Sequence, residues 1–237
     1  MVNVLEDNLR YARQACLPLV GIEGQKKLSA AKVLVVGVGG LGSPVALYLA
    51  AAGVGTIGLV DEDKIEIHNL QRQILYDTYY IGRPKVEIAA EKLTDLNSEI
   101  KIEQRNLKLN IKNAAQLIER YDIVADCSDN FPTRFLVNDV CMEQGKILVS
   151  AAAQGFEGQL YTFKKNVANY RDIYDEPPEG LIPSCSQTGI LGSVCGVMGS
   201  MQANEIIKEI IGVGESLAGS MIIWDSLKNS LKLVKIK

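Results

Sequence analysis

The sequence predicts an α/β protein with a doubly wound, mostly parallel sheet, a Rossmann-like first half and an antiparallel C-terminal extension. A β-branched run at 32–37 ends in glycines, and an Ala- and Leu-rich segment at 41–52 follows it. A second apolar run, TIGLVD, then occupies 56–61. A strand, a glycine turn, a helix and a strand in this order form a βαβ unit, whose strands are parallel and whose crossover is right-handed.

The same alternation of strands and helices continues to about residue 153. We predict strands at 100–104, 122–126 and 147–151, and helices at 85–96, 113–120 and 131–144. Such alternation is typical of a doubly wound sheet with helices on both faces.

After residue 153 the pattern changes. Strands of a more antiparallel kind are predicted at 158–163, 219–224 and 231–236, with a glycine-containing helix at 189–211. The segment 166–187 contains three prolines and is interpreted as a long surface loop. No linker or repeat divides the chain, so we predict one domain over 1–237, with a nucleotide-binding half at about 30–153 and a second half at about 154–237.

Composition restricts the function classes. Hydrophobic residues make up 47% of the chain and charged residues 22%, which is ordinary for a soluble protein. No apolar run approaches the roughly 18 residues of a membrane span, and the N-terminus lacks the apolar core of a secretory signal. We therefore expect a cytoplasmic protein with no membrane partner. A net charge of −3 gives no basic face, so no nucleic-acid partner is expected.

Histidine and cysteine usage argues against several kinds of site. The chain contains one histidine, His68, whereas histidine-based metal sites and Ser-His-Asp triads need further partners. The five cysteines are scattered and form no C-x-x-C pair. Most of them, including Cys127 and Cys195, are interpreted as reduced thiols that pack as small apolar groups.

A glycine-rich turn predicts a nucleotide site. Gly37, Gly39 and Gly42 form G-x-G-x-x-G, with Gly40 in addition, between a strand and a helix. Glycines let backbone N–H groups approach a phosphate, and the helix N-terminus adds partial positive charge. Asp61 ends the second strand about 20 residues on, where a carboxylate accepts hydrogen bonds from ribose hydroxyls. These features do not distinguish NAD from ATP.

Charged residues further along the chain favour a nucleoside triphosphate with Mg²⁺. Arg72 follows the second strand, and Lys85 begins a helix after Gly82 and Pro84. The segment 126–130, DCSDN, stands at the C-terminal end of a later strand, where ligands bind in open parallel sheets. Cations and a carboxylate that converge on a phosphate cradle suit ATP and Mg²⁺ better than a dinucleotide. For each charge taken singly, a solvated surface position is the alternative.

Several motifs together resemble the MoeB/ThiF/HesA family, the bacterial relatives of ubiquitin-activating enzymes. The match runs in order from about Arg10 to about Asp225. It rests on RYARQ at 10–14, GVGGLG at 37–42, NLQRQ at 69–73, GRPK at 82–85, DCSDN at 126–130 and Arg134.

The resemblance implies an adenylyltransferase. Its substrate would be a ubiquitin-like sulfur-carrier protein of the MoaD or ThiS kind with a Gly-Gly tail, bound by the second half of the chain. ATP would adenylate the terminal glycine, giving an acyl-adenylate and pyrophosphate for sulfur transfer in molybdopterin or thiamine biosynthesis. Because a carboxylate attacks the α-phosphate, no general base is needed, and the enzyme must position two anions and offset their repulsion.

The resemblance also implies roles for individual residues. ATP and Mg²⁺ would be bound by Gly37, Gly39, Gly40, Gly42, Asp61, Asp63, Asn69, Arg72, Gln73, Lys85, Asp129 and Asn130. Asp61 would bind the ribose, and Asp129 would hold the Mg²⁺ that accompanies ATP. Arg72, Lys85 and Asp129 would act in catalysis, together with Arg13, which would reach into the ATP site of a partner subunit. A homodimer is therefore implied.

The chain departs from the family pattern at the structural zinc. Many members bind zinc with two C-x-x-C pairs, the first of which flanks Tyr-Arg, whereas this chain has NYRD at 169–172. The second pair is also missing from the sequence, so no zinc site is expected.

Cys185 matches the cysteine that some relatives use to form a thioester or an acyl-disulfide with the carrier. It is therefore a candidate catalytic residue, and a tolerated loop cysteine is the alternative, because adenylation itself needs no thiol.

Other functions stay open at this stage. An ATP-dependent tRNA-base dehydratase of the same superfamily is one, although the acidic pI of 5.4 weighs against it. An NAD(P)-dependent oxidoreductase is another, disfavoured because no hydride-transfer constellation is evident. A nucleotide-binding scaffold without activity is the third. The sequence does not indicate the pathway, the carrier or the sulfur donor.

Overall fold

The computed structural model describes residues 9–176 and 189–236. Eight strands form one sheet in the order β3-β2-β1-β4-β5-β6-β7-β8. The strands are β1 Lys32–Val36, β2 Thr56–Val60, β3 Lys101–Arg105, β4 Ile123–Asp126, β5 Ile147–Gln154, β6 Glu157–Phe163, β7 Ser220–Asp225 and β8 Ser230–Lys235. The helices are α1 Ala12–Ala15, α2 Gly21–Ala30, α3 Gly42–Ala52, α4 Lys85–Leu96, α5 Ala114–Ile118, α6 Phe131–Gln144 and α7 Gly192–Ile211.

The sheet confirms the predicted fold class. β1 to β5 pair in parallel, and β5 to β8 pair in antiparallel fashion. The strand order reverses at β1, which lies between β2 and β4. In open α/β sheets the carboxyl ends of the strands beside such a reversal form the ligand crevice, so the fold places the glycine turn after β1 at that position.

Apolar runs explain why the central strands form. β4 is buried along its whole length, and β1 and β2 are buried at every position after their first. One core lies between the sheet and the helices α3, α4 and α7, and a second lies on the other face under α5 and α6. Covering on both faces is what selects continuous β-branched runs in parallel strands. In the part of the chain that the structure describes, no helix is long and apolar enough to cross a membrane.

The described part of the predicted surface loop, residues 166–176, is a loop in which Ala168 and Tyr170 are buried. Tyr170–Asp172 form a 3-10 turn, and the Tyr170 ring is buried. This ring contacts Phe135 and Phe163 edge to face, with centroid distances of 5.2 and 5.8 Å. This buried ring was not predicted, because the aromatic side chains that surround it come from α6 and β6 and leave no pattern within the loop itself. Residues 177–188 of that segment, including Cys185, lie outside the described residues.

Candidate nucleotide site

The glycine turn between β1 and α3 is built so that glycine is required. Gly37 has φ of +86°, in the left-handed region that favours glycine. A Cβ on Gly42 would lie 2.0 Å from the Gly37 carbonyl oxygen, which leaves no room for any side chain. The turn therefore folds closely upon itself and brings backbone amides to the start of α3.

Four consecutive amides in this turn are free to bind an anion. The N–H groups of Gly39, Gly40, Leu41 and Gly42 donate to no acceptor within residues 9–176 and 189–236. Unsatisfied amides at a helix N-terminus, together with the helix dipole, form a site for phosphate. This supports the predicted contribution of Gly39, Gly40 and Gly42 to nucleotide binding.

Asp61 stands beside the turn at the end of β2. Its Oδ2 accepts the Val38 N–H at 2.8 Å, and its Oδ1 accepts the Asp63 N–H at 2.9 Å. Burial raises the pKa of this carboxyl, and the nearby Lys85 ammonium opposes that rise. Each carboxylate oxygen can accept a second hydrogen bond, so both remain available to ribose hydroxyls.

Lys85 is not a solvated surface residue. Its side chain is only 6% exposed, and its Nζ lies 2.7 Å from Oδ2 of Asp63. The Lys85 N–H also donates to the Asp63 carbonyl at 3.0 Å, which joins the start of α4 to the end of β2. The Lys85 ammonium is already removed from water, so moving from the Asp63 carboxylate to a phosphate would cost it little further desolvation.

The segment 69–73 lies over the glycine turn. Asn69 is buried, and its Oδ1 accepts the Glu66 N–H at 3.3 Å, which fixes the start of the segment. A Cβ on Gly40 would lie 3.4 Å from Cγ of Arg72, so the Arg72 stem covers that glycine. Nη1 of Arg72 donates to the His68 carbonyl at 3.0 Å. A backbone bond on one nitrogen leaves four donors of the guanidinium for a ligand.

Gln73 carries a buried acceptor that lacks a donor. The residue is 3% exposed, and its Oε1 has no hydrogen-bond partner among the described residues. Its Nε2 lies 3.5 Å from the position a Cβ would take on Gly39. Buried polar groups without partners are uncommon in folded proteins, and a polar ligand on the glycine turn is one way to satisfy this one.

Two carboxylates, one at the last position of β4 and one just after it, have different environments. Asp126 is buried; its Oδ1 accepts the Ser128 hydroxyl at 2.6 Å, and its Oδ2 lies 3.6 Å from Nη1 of Arg134. Asp129 is exposed, and its one hydrogen bond within the described ranges comes from the Asn130 amide at 3.4 Å. Asp126 therefore belongs to the internal framework, and Asp129 is the carboxylate available to a ligand.

The structure offers Mg²⁺ one carboxylate and no closed cage. Among residues 9–176 and 189–236 no group of three or more His, Cys, Asp or Glu side chains could hold a metal ion. Magnesium in nucleotide sites keeps waters and takes one or two carboxylates together with phosphate oxygens. Asp129 fits that requirement. Asn130 caps α6 by accepting the Thr133 N–H at 2.9 Å, which fixes the backbone beside Asp129.

The N-terminal motif is anchored around Arg13 and leaves that side chain free. The Tyr11 hydroxyl accepts from Asn97 at 2.7 Å, and Gln14 donates to the Ala52 carbonyl at 3.1 Å. Arg13 is exposed and makes no hydrogen bond or ion pair with any residue the structure describes. The structure does not bring Arg13 together with the other predicted site residues of the same chain.

Asn169 and Asp172 stand at the positions where many family members carry the first cysteine pair of the zinc site, and here both side chains form hydrogen bonds. Oδ2 of Asp172 accepts the Asn169 backbone N–H at 2.8 Å and the Asn169 side-chain amide at 3.0 Å. Oδ1 of Asn169 accepts the Arg171 N–H at 2.8 Å. The two side chains thus close a capping box around the 3-10 turn.

One residue beside the turn was not found from the sequence. The buried Tyr76 hydroxyl donates to the Val38 carbonyl at 2.7 Å. Its position three residues after the NLQRQ motif was a weak indication of a role at the site. A tyrosine in a connecting segment is more often exposed, so nothing local predicted that this one would be buried against the turn.

This geometry defines a doubly wound α/β protein with a glycine turn at the strand reversal whose backbone amides are placed to bind an anion. The ThiF family model matches residues 11–237, almost the entire sequence. The chain therefore belongs to the ThiF family.

Similar proteins carry related names. The chain is 46% identical over 230 residues to a Zea mays protein named adenylyltransferase and sulfurtransferase MOCS3-2, covering 96% of this chain and 48% of that relative. It is 43% identical over 235 residues to a sulfur carrier protein adenylyltransferase of Thermus thermophilus, covering 96% of this chain and 87% of that protein. The chain thus spans about half the length of the maize relative.

Solved structures share the fold. A crystal structure of E. coli MccB with ATP has a TM-score of 0.87 at 24% identity, covering 99% of this chain and 72% of that one. MccB in complex with N-formylated MccA has a TM-score of 0.88 at 23% identity, covering 100% and 74%. At this level of identity the likeness bears on the fold alone.

Proposed function

We propose that this protein uses ATP to adenylate the C-terminal glycine of a ubiquitin-like sulfur-carrier protein. The observation that carries the proposal is the row of four free amides at the start of α3, with the Arg72 stem over Gly40 and the Lys85 ammonium near the Asp61 carboxyl that accepts the Val38 N–H. Three sources of positive potential at one strand reversal suit the phosphates of a nucleoside triphosphate. The names of the Thermus thermophilus and maize relatives support the same reaction.

The reaction places two anions in contact. A carboxylate oxygen of the terminal glycine attacks the α-phosphorus and forms a new P–O bond. The bond from the α-phosphorus to the bridging α–β oxygen breaks, and pyrophosphate leaves with that electron pair. Mg²⁺, when bound with the phosphates, offsets charge on the leaving group. Arg72 and Lys85 orient the phosphates and offset the repulsion of the incoming carboxylate.

A homodimer completes the proposed site. Arg13 is exposed and unpaired within the described residues, while Tyr11 and Gln14 hold its backbone in place. A guanidinium presented in this way can reach the ATP of a second copy. Cys185 remains a candidate for a covalent carrier intermediate after adenylation, and the absence of zinc remains our expectation for this chain.

Carrier-dependent exchange between ATP and pyrophosphate tests the proposal. Purified protein is incubated with ATP, Mg²⁺, labelled pyrophosphate and candidate carriers that end in Gly-Gly. We expect exchange to require the carrier, and to fall by about 100-fold or more in Arg72→Ala and in Asp129→Ala, as when a transition-state charge partner is removed. Arg83→Ala is the control, because the Arg83 side chain pairs, among the described residues, with the surface residues Glu87 and Glu91 alone.

Two results would count against the proposal. If ATP binds but no carrier supports exchange, the sulfur-carrier reaction is excluded, and the tRNA-base dehydratase becomes the leading hypothesis. If NAD competes with ATP at equal affinity, the dinucleotide alternative returns.

A further inference from the structure

The peptide groups on both sides of the Val38 Cα are held by separate side chains. Asp61 accepts the Val38 N–H at 2.8 Å, and the Tyr76 hydroxyl donates to the Val38 carbonyl at 2.7 Å. Val38 is fully buried and Tyr76 is 6% exposed, so water does not compete for either bond. The middle of the glycine turn is therefore fixed from the β2 side and from the segment after NLQRQ.

The hydrogen bond from Tyr76 to the Val38 carbonyl also orients the Gly39 N–H. The peptide group that joins Val38 to Gly39 is planar and trans, so its C=O and its N–H point in opposite directions. Fixing the Val38 carbonyl toward Tyr76 thus fixes the Gly39 N–H on the opposite side. That N–H is the first of the four amides that donate to no acceptor within the described ranges.

Tyr76 extends the segment that covers the turn from 69–73 to 69–76. Side chains of this segment meet successive turn residues: Tyr76 reaches Val38, the Gln73 amide lies over Gly39, and the Arg72 stem lies over Gly40. Burial and the neighbouring carboxylates Asp61 and Asp63 raise the pKa of the Tyr76 phenol, so its hydroxyl is a proton donor throughout the neutral range.

We propose that Tyr76 is a positioning residue for nucleotide binding, which sets the direction of the Gly39 N–H through its hydrogen bond to the Val38 carbonyl. This inference rests on the proposed nucleotide site and adds a residue that the family motifs quoted above do not include. Tyr76 acts on the ligand through the backbone. Its contribution is preorganisation, because an amide already aimed at the phosphate loses little freedom on binding.

The test compares two buried tyrosines that differ in what their hydroxyls hold. Tyr76→Phe removes the bond to Val38. Tyr121→Phe is the matched control, because Tyr121 is 1% exposed, belongs to the core on the other face of the sheet, and donates to Glu103 at 3.3 Å. Dissociation constants for ATP with Mg²⁺ are measured by calorimetry on the full chain, and thermal midpoints without nucleotide monitor folding.

We expect Tyr76→Phe to weaken ATP binding about tenfold, the effect of having to order one peptide group on binding that is no longer fixed beforehand. We also expect hydrogen exchange to become faster at the Val38 amide of the nucleotide-free protein, because Val38, no longer held at its carbonyl, moves more and opens its N–H bond to Asp61 more often. Tyr121→Phe should keep the wild-type ATP affinity and the wild-type exchange rate at Val38. A merely structural role would lower the thermal midpoint of both variants and leave their ATP affinity unchanged.

The outcomes separate this proposal from the adenylation reaction. An unchanged ATP affinity in Tyr76→Phe overturns the positioning role, whatever the enzyme activity is. If the wild type binds ATP and no carrier supports exchange, the proposed function fails, and the role of Tyr76 is still decided by the ratio of the two dissociation constants. If the wild type does not bind ATP, both proposals fail.

Discussion

The parallel and the antiparallel halves of the sheet differ in how they are covered. β1, β2 and β4 are buried after their first positions or throughout, whereas every residue of β7 is partly exposed and four of the six residues of β8 are exposed. Helices cover both faces of the parallel half. On β8, Leu231 and Leu233 are 55% and 64% exposed.

This difference shows that the parallel half is the more closely packed part of the sheet. The candidate site lies at the edge of the half that is enclosed on both faces. The strands and helices that carry its turn and its charged side chains are therefore held in one conformation by packing. Close packing of that kind resists small displacements of the backbone. A phosphate site needs this resistance, because its amides must stay directed at the ligand. The outer strands β7 and β8 are held mainly by their hydrogen-bonded ladder, and single side chains there carry less of the stability.

Breaking the internal charge pair of the parallel half should have the largest effect. Asp126→Ala leaves the buried Arg134 guanidinium without its carboxylate and leaves two serine hydroxyls without an acceptor. We expect a loss of about 3–5 kcal/mol in the free energy of unfolding, measured by urea denaturation. In the antiparallel half, Lys228→Ala breaks an exposed pair with Asp225 and should leave the urea midpoint near that of the wild type. Equal losses would contradict the contrast.

Two leucines on strands sharpen the comparison. Leu59 on β2 is fully buried, and Leu233 on β8 is 64% exposed. Leu59→Ala should cost about 2–5 kcal/mol, because it removes buried methyl groups and leaves a cavity. Leu233→Ala should change the unfolding free energy by no more than about 0.5 kcal/mol. A loss above 2 kcal/mol in Leu233→Ala would mean that the outer face of β8 is covered in solution.

The smallest expected effect concerns a contact between the halves. Arg171, which follows β6, binds Asp139 of α6 with both nitrogen–oxygen distances below 3 Å. The Arg171 guanidinium holds the pKa of the Asp139 carboxyl below its usual value. A carboxyl whose folded pKa is lowered stabilises the protein above its unfolded pKa of about 3.9, and this contribution is lost as the pH falls through the folded value.

Asp139→Asn should therefore lower the unfolding free energy at pH 7 by less than about 1 kcal/mol, since the pair is partly exposed and screened. The difference from the wild type should shrink below about pH 4, where the Asp139 carboxyl begins to protonate. Urea titrations at several pH values measure this. Asp95→Asn, at an exposed carboxylate with no ion pair among the described residues, is the matched control. A difference that stays constant with pH would exclude the ion pair as its cause.

Local signals in the sequence predicted most of the fold. Every strand and most helices of the described chain fall within a few residues of their predicted positions, because β-branched runs, glycines and helix starts are encoded locally. Two helices were predicted too long. α5 covers only Ala114–Ile118, and α7 begins at Gly192, where a Cβ would lie 2.2 Å from the Gln71 carbonyl oxygen. The close contact between Gly192 and Gln71 joins distant parts of the chain, so no local sequence pattern predicts where the helix begins.

The sequence by itself determined the glycine turn, the order of charged residues and the family, because these are patterns of residue type and spacing. Only the tertiary structure decided which of those residues face the site. It separated the buried Asp126 from the exposed Asp129, joined Lys85 to Asp63, and placed Tyr76 on Val38. The physical reason is that burial and hydrogen-bond partners depend on which segments meet across the sheet, and residues 38 positions apart along the chain carry no mark of their contact.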